Sequence, residues 1–260
     1  MTKAPKKTPH ILLTNDDGFH APGLAALAAA LRPWARLSIV APNREQSGAA
    51  QSLTLRTPIV CHERGENQWA IEGTPADCVI VALHKLLPEP PDLLLSGINH
   101  GANLGENAYY SGTVGAAREG ALHHVPSCAL SLCSKHAAAD FSAAARVARH
   151  IAELILQETL PDQVLLNVNV PEKWEGDVKF TRQSKKITRN HLLEGRDPKG
   201  RAYYWLSEQR LDKDAENDTD YAAIFSKSVS ITPLHLDPTH THSLNHLSHW
   251  AKPLHSAFER

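Results

Sequence analysis

Asp16 and Asp17 are adjacent, follow the apolar run His10-Ile11-Leu12-Leu13-Thr14, and precede Gly18. A short apolar run reads as a buried strand, and the glycine admits a turn at positive φ. The two acids are therefore left at the strand's carboxyl end. Neighbouring carboxylates repel unless a proton or a cation lies between them, so the pair invites a divalent metal. Taken alone, Asn15-Asp16-Asp17-Gly18 also has the composition of an ordinary solvated turn.

Three other segments carry side chains of matching chemistry: Asn43 to Ala49, Ser96 to Asn103, and Tyr110 to Thr113. Ser47 adds a hydroxyl and Asn99 an amide oxygen to the two carboxylates, a set of hard oxygen donors suited to Mg²⁺ or Mn²⁺. Gly48, Gly97, Gly101 and Gly112 let backbone amides approach an anion. Ser111-Gly112-Thr113 reads as a helix start, which offers N–H groups and a favourable dipole to a phosphate. Singly, each of these is a commonplace loop or cap residue. Their weight comes from convergence.

The elements between them supply that convergence. Leu24, Leu27, Ala28 and Leu31 are spaced as one helix face, and Arg36 to Ala41 reads as a second buried strand. Leu53 to Ile71 suggests a pair of strands. Thr74 and Pro75 resemble an N-cap and first helical position, with the helix running through Leu86. Strands are expected at Pro91 to Gly97, Ser127 to Leu132 and Val164 to Val170, with a long loop over Ile98 to Tyr110. Helices are expected at Val114 to Leu122 and Phe141 to Leu160. Alternating strands and helices imply right-handed crossovers and a mostly parallel α/β sheet. Three of the four segments directly follow parallel strands, so their loops open on one sheet edge.

After Pro171 the alternation stops. Ala202 to Leu206 and Tyr221 to Phe225 read as aromatic, strand-like pieces, and Ser228 to Leu234 as a strand returning to the core. The organisation expected is a basic leader over 1–9, a catalytic core over 10–176, and a β-rich arm, returning strand and tail over 177–260 of the same domain.

Several strings closely resemble those of the SurE survival-protein nucleotidases, in that family's order. They are Leu13 to Gly18 with Pro22-Gly23-Leu24, Ala41 to Gly48 with Ser52-Leu53-Thr54, Gly73 to Val79, Ser96 to Asn103, and Tyr110 to Ala117. Ser228 to Leu234 is a weaker match, and the tail after Leu236 the poorest. The resemblance implies a Rossmann-like core with helices on both faces and a C-terminal β-hairpin arm exchanged between subunits of a homodimer or homotetramer. It implies hydrolysis of nucleoside 5′- and 3′-monophosphates, and also of short polyphosphate, dependent on one divalent ion per subunit. Its metal ligands map onto Asp16, Asp17, Ser47 and Asn99. Asn103 and Ser111-Gly112-Thr113 fall beside the phosphate, with Gly48 in the same cradle. Asp16 is the expected group for orienting or deprotonating the attacking water. Two rivals are an aspartyl-phosphate phosphatase, disfavoured by Gly18 where that class wants a second acid, and a non-catalytic nucleotide-binding module. The chain lacks Gly-x-Gly-x-x-Gly after a strand and any Gly-Lys-Ser/Thr.

Composition narrows the partners. The 260 residues carry 27 basic and 28 acidic side chains, a formal charge of -1, so no overall field selects nucleic acid or an anionic membrane. No run approaches the roughly 20 apolar residues of a membrane span, and no signal-peptide h-region precedes Asn15. A cytoplasmic protein with buried thiols at Cys61, Cys78, Cys128 and Cys133 is the expectation. The C-terminal histidines His235, His240, His242, His246 and His249 include an i, i+4 pair, but the acid of a His-Glu-x-x-His site is missing. The basic stretch Arg182, Lys185, Lys186 and Arg189 reads as a solvated face.

Overall fold

The structure, a computed structural model, describes residues 8–185, 188–210 and 216–258. Most of the expected leader over 1–9, and Lys186 of the basic stretch, lie outside these residues. The chain runs β1 (His10–Thr14), α1 (Pro22–Leu31), β2 (Arg36–Pro42), β3 (Val60–Gly65), β4 (Gln68–Glu72) and α2 (Pro75–Val81). It continues through β5 (Leu93–His100), α3 (Gly112–Leu122), β6 (Ser127–Cys133), α4 (Ser142–Gln157), β7 (Val164–Pro171) and β8 (Val178–Phe180). The last part holds β9 (Thr188–Arg196), β10 (Ala202–Arg210), α5 (Asp220–Phe225), β11 (Val229–His235), α6 (Thr241–Leu247) and α7 (Ala251–Phe258).

One nine-stranded sheet has the order β3-β4-β2-β1-β5-β6-β7-β11-β8, and β9 and β10 form a separate antiparallel pair. The pairs β4-β2, β2-β1, β1-β5, β5-β6 and β6-β7 are parallel, while β3 and β11 join antiparallel. The central strands carry long apolar runs because both faces are covered. Ile11, Leu13, Leu93, Leu95 and Leu130 point into a core closed by α1 and α4. Leu12, Leu94 and Ala129 point into a second core under α2 and α3. A two-residue period thus divides one apolar run between two cores. Leu95 is fully buried, so Leu95→Ala is expected to cost about 2–5 kcal/mol in urea denaturation by leaving a cavity under β5.

Strand β1 leads through α1 to β2 on one side and has β5 on the other, which makes the β1–β5 crevice a topological switch point. The loops after β1, β2 and β5 open at these carboxyl ends.

The structure moves several expected boundaries. Residues 53–59 are loop, and the strand pair begins at Val60. Strand β5 continues to His100 through an irregular register between Ser96 and Asn99, so the site loop starts later than Ile98. Tyr221 to Phe225 is helical, not a strand: the Thr219 side chain caps α5 by accepting from Ala222 N–H, and Ala222-Ala223 suit a helix. Cys78 and Cys128 are buried, but Cys61 is exposed because β3 is the sheet's edge strand. The cysteines are all free. No helix among the described residues is long and apolar enough to cross a membrane.

Candidate active site

At the carboxyl edge of β1 and β5 lies a cavity of about 470 Å³ lined by Asp16, Ser47, Gly48, Asn99, His100, Asn103, Asn107, Tyr110, Ser111 and Leu206. Each predicted donor segment therefore contributes to one chamber. Asn15 builds the turn: its side chain donates to Gly18 O at 2.9 Å and accepts from Gly18 N–H at 3.3 Å. Gly18 has φ +102°, and a Cβ there would meet the Arg44 backbone at 3.2 Å. Gln46 N–H donates to Asp16 O at 2.7 Å, which ties the Ser47 loop to the acidic turn.

Asp16 is 4% exposed, and Thr113 Oγ1 donates to its Oδ1 at 2.5 Å. Burial pushes its carboxyl from 3.8 up to about 6, against the Thr113 hydrogen bond and with repulsion from Asp17 adding to the rise. Asp17 is also raised, first by burial; Glu45 adds to this, while the His100 N–H donating to its Oδ2 at 2.9 Å works against it. Neither acid forms an ion pair with a basic side chain among the described residues. Asn99 Nδ2 donates to Gly101 O at 2.9 Å, which leaves Oδ1 as its free acceptor, and Ser47 Oγ donates to Glu45 at 2.7 Å. Asp16 is buried, Asp17 and Asn99 are half-buried and Ser47 is exposed at the rim; two carboxylates, an amide oxygen and a hydroxyl without a basic partner fit a small hard cation.

Proton competition follows from the Asp16 value of about 6. Below that pH an ion held by Asp16 would have to displace a proton, so Mn²⁺ affinity would fall by up to about tenfold per pH unit, and level off above it. Titrations of Mn²⁺ binding between pH 5 and 8, a range of about three decades in proton activity, would show the break.

The wall of the cavity formed by Asn103 and Ser111 is positioned by β7 and the start of α3. Ser111 caps α3 by accepting from Val114 N–H at 3.1 Å, and its hydroxyl hydrogen remains available. Gly112 packs directly on the acidic turn, because a Cβ there would come within 2.8 Å of Asp16 Cβ. Thr113 is fully buried behind Asp16, so its side chain holds the carboxylate and does not line the cavity. Asn103 is held on every side. Its N–H donates to Asn169 Oδ1 at 2.8 Å, its Nδ2 to Ser131 Oγ at 2.9 Å, and its carbonyl accepts from Asn167 and Asn169.

A family model described as Survival protein SurE matches residues 11–190. The chain belongs to the SurE family. Among its relatives, a protein named 5′-nucleotidase SurE from Pelobacter propionicus is 44% identical over 244 residues, covering 93% of this chain and 99% of the relative. A protein of the same name from Vibrio parahaemolyticus is 44% identical, covering 93% of this chain and 94% of its own. The crystal structure of the SurE protein from Aquifex aeolicus superposes with a TM-score of 0.85 at 38% identity, covering 94% of this chain and all of that one. The SurE assignment makes this chain an enzyme.

Some SurE-fold contributors to the cavity carry little signal in this sequence. Asn107 sits in the Gly/Asn-rich loop, and Leu206 comes from β10, placed only by tertiary structure. Asn167 and Asn169 did carry one: two amides at strand period in an otherwise apolar β7. Among the described residues no three His, Cys, Asp or Glu side chains converge to hold an ion, the C-terminal histidines included.

Proposed function

We propose that the protein is a divalent-metal-dependent phosphatase that hydrolyses nucleoside 5′-monophosphates, and 3′-monophosphates as well, to nucleoside and phosphate. The observation that carries this reading is the shared chamber, in which Asp16, Ser47 and Asn99 face the same space as Asn103 and Ser111. Its volume is that of a small-ligand site. The relatives named 5′-nucleotidase supply the substrate class.

Asp16, Asp17, Ser47 and Asn99 would hold one Mg²⁺ or Mn²⁺. When bound, the ion supplies Lewis-acid polarisation of a phosphoryl oxygen and a water of lowered pKa. Asp16 orients the attacking water through Oδ2, since Thr113 occupies Oδ1. In the metal-free protein a carboxyl near 6 is mostly ionised at neutral pH and so ready to take an ion. Asn103 keeps its second amide hydrogen for a phosphoryl oxygen, Ser111 offers its hydroxyl hydrogen, and the backbone amides of Gly48 and Gly112 complete the cradle beside the positive end of α3. These donors stabilise charge on the transferring group during in-line displacement. A cradle that reads only a terminal phosphoryl group also accepts short polyphosphate.

The reading extends to a homodimer or homotetramer. Among the described residues the β9–β10 hairpin pairs only with itself and exposes Leu192, Leu193, Tyr204, Trp205 and Leu206, while α6 and α7 bury no residue. An isolated hairpin is marginal in water, so an apolar one asks for a second copy. Free thiols fit a reducing cytoplasm.

A panel of AMP, 3′-AMP and tripolyphosphate with Mn²⁺, Mg²⁺ or EDTA tests the activity. Phosphate release that needs the metal supports it. Nucleotide binding with no release would leave a binding module, and a phosphoenzyme trapped by beryllium fluoride would make Asp16 a nucleophile.

A further inference from the structure

Outside the chamber, one buried acid ties the site loop to the base of the arm. Asp220 has no solvent exposure and opens α5. Its Oδ2 accepts from Gly105 N–H at 2.7 Å, and its Oδ1 accepts from Ser184 N–H at 3.1 Å and Tyr221 N–H at 2.8 Å. Gly105 lies between Asn103 and Asn107 in the site loop, Ser184 lies where the chain enters β9, and Tyr221 belongs to α5. No basic side chain pairs with Asp220 among the described residues. A buried carboxylate without a counter-ion depends on its N–H donors, which makes three of them from three segments a strong tie.

The neighbouring contacts act in the same direction. Gln183 Nε2 donates to Gly105 O at 2.5 Å. Gly105 has φ +53°, and a Cβ there would meet Ser184 Oγ at 2.7 Å and the Tyr221 ring at 3.1 Å. The loop is thus pressed onto 183–184 and α5, with no side chain on Gly105 to hold them apart. On its other flank Asn167 and Asn169 grip Asn103.

We propose that Asp220 is a positioning residue: its carboxylate seats the loop carrying Asn103 and Asn107 against the root of the β9–β10 arm, and so sets the phosphate side of the site. The proposal rests on the reading of Asn103 as a phosphate contact. It also makes residues 183–184, α5 and the phosphate side one mechanical unit, so movement at either is felt at Asn103. The ion-holding segments at 15–17, 47 and 99 lie outside this clasp.

Asp220→Asn separates the two sides. The amide oxygen can serve the two donors at Ser184 and Tyr221, but the amide nitrogen then faces Gly105 N–H, donor against donor. With Mn²⁺ present, calorimetric affinity for inorganic phosphate is expected to fall about tenfold, as for one lost charge-assisted hydrogen bond. Mn²⁺ affinity, read by electron paramagnetic resonance, stays at the wild-type value. Hydrogen exchange in the peptide spanning 101–110 accelerates while that in β6 does not. Wild-type phosphate affinity and wild-type exchange in Asp220→Asn would overturn the proposal, as would equal losses of Mn²⁺ and phosphate with exchange accelerated throughout. Should Asp220→Asn fail to fold, Gln183→Ala must show the same split at about threefold, and no split there would overturn it. If the wild-type protein releases no phosphate from AMP, the functional reading fails while the exchange and phosphate-binding measurements still decide the clasp.

Discussion

Asp16→Asn is expected to lower phosphate release from AMP by about 10³-fold or more, since on the proposed reading it removes both a charged ion ligand and the group that orients the attacking water. The same change is expected to stabilise the metal-free protein. In the native state the carboxyl titrates at about 6, against 3.8 for the free side chain. The native state therefore binds more protons than the unfolded state between those values, and stability falls as pH rises through that window. Above it the buried charge costs at most about 3 kcal/mol, from about 1.4 kcal/mol per pKa unit. Asparagine has no such charge to bury. Metal-free Asp16→Asn should exceed wild type by about 1–3 kcal/mol at pH 7, with the difference vanishing near pH 4. Saturating Mn²⁺ should stabilise wild type more than the variant. Urea denaturation at two pH values, with and without Mn²⁺, reads all of this, and a variant less stable than wild type at pH 7 would contradict the account.

Gly112→Ala has the second largest expected effect. The added methyl would lie within 2.8 Å of Asp16 Cβ, 2.9 Å of Asp16 Oδ2 and 3.1 Å of Pro75 Cγ. The start of α3 or the acidic turn must shift by a few tenths of an ångström to one ångström, and displacements of that size cost about 10² in rate at positioned sites. Overpacking adds about 1–3 kcal/mol of destabilisation. Because the methyl meets Asp16 itself, Mn²⁺ affinity and turnover should fall together, unlike the split expected at Asp220. Steady-state kinetics with a parallel Mn²⁺ titration would check this, and unchanged metal affinity would place the ion away from Asp16.

What could be read from sequence depended on how local the determining interactions are. The run Ile11 to Leu13 and the Asx turn of Asn15 with Gly18 are complete within a few residues, so strand, turn and acidic pair were all legible. Thr74 with Pro75 and Asp77 likewise announced a helix start, and the reciprocal cap is present. Tyr221 to Phe225 misled because its aromatic ends resemble a strand, while the cap from Thr219 and the tie through Asp220 decide for helix. Cys61 sits beside apolar residues in sequence but on an edge strand in space. Leu206 reaches the cavity only because a hairpin some hundred residues from Asn103 folds back over it, and no periodicity encodes that.

The hydroxyl at Thr113 shows the same limit at the scale of one side chain. Its place at a helix start was legible, but whether it faced ligand or Asp16 depended on how closely Gly112 let α3 approach β1.

The central claim is that Asp16, Asp17, Ser47 and Asn99 hold one ion beside the Asn103 and Ser111 cradle. Anomalous diffraction from crystals grown with Mn²⁺ and phosphate tests it most directly. The expected result is a single strong peak about 2 Å from oxygens of those four side chains, the range for small hard cations, with phosphate density against Asn103 and the start of α3. A peak elsewhere, among the C-terminal histidines for example, with the Asp16–Asp17 turn bound only by water, would contradict it.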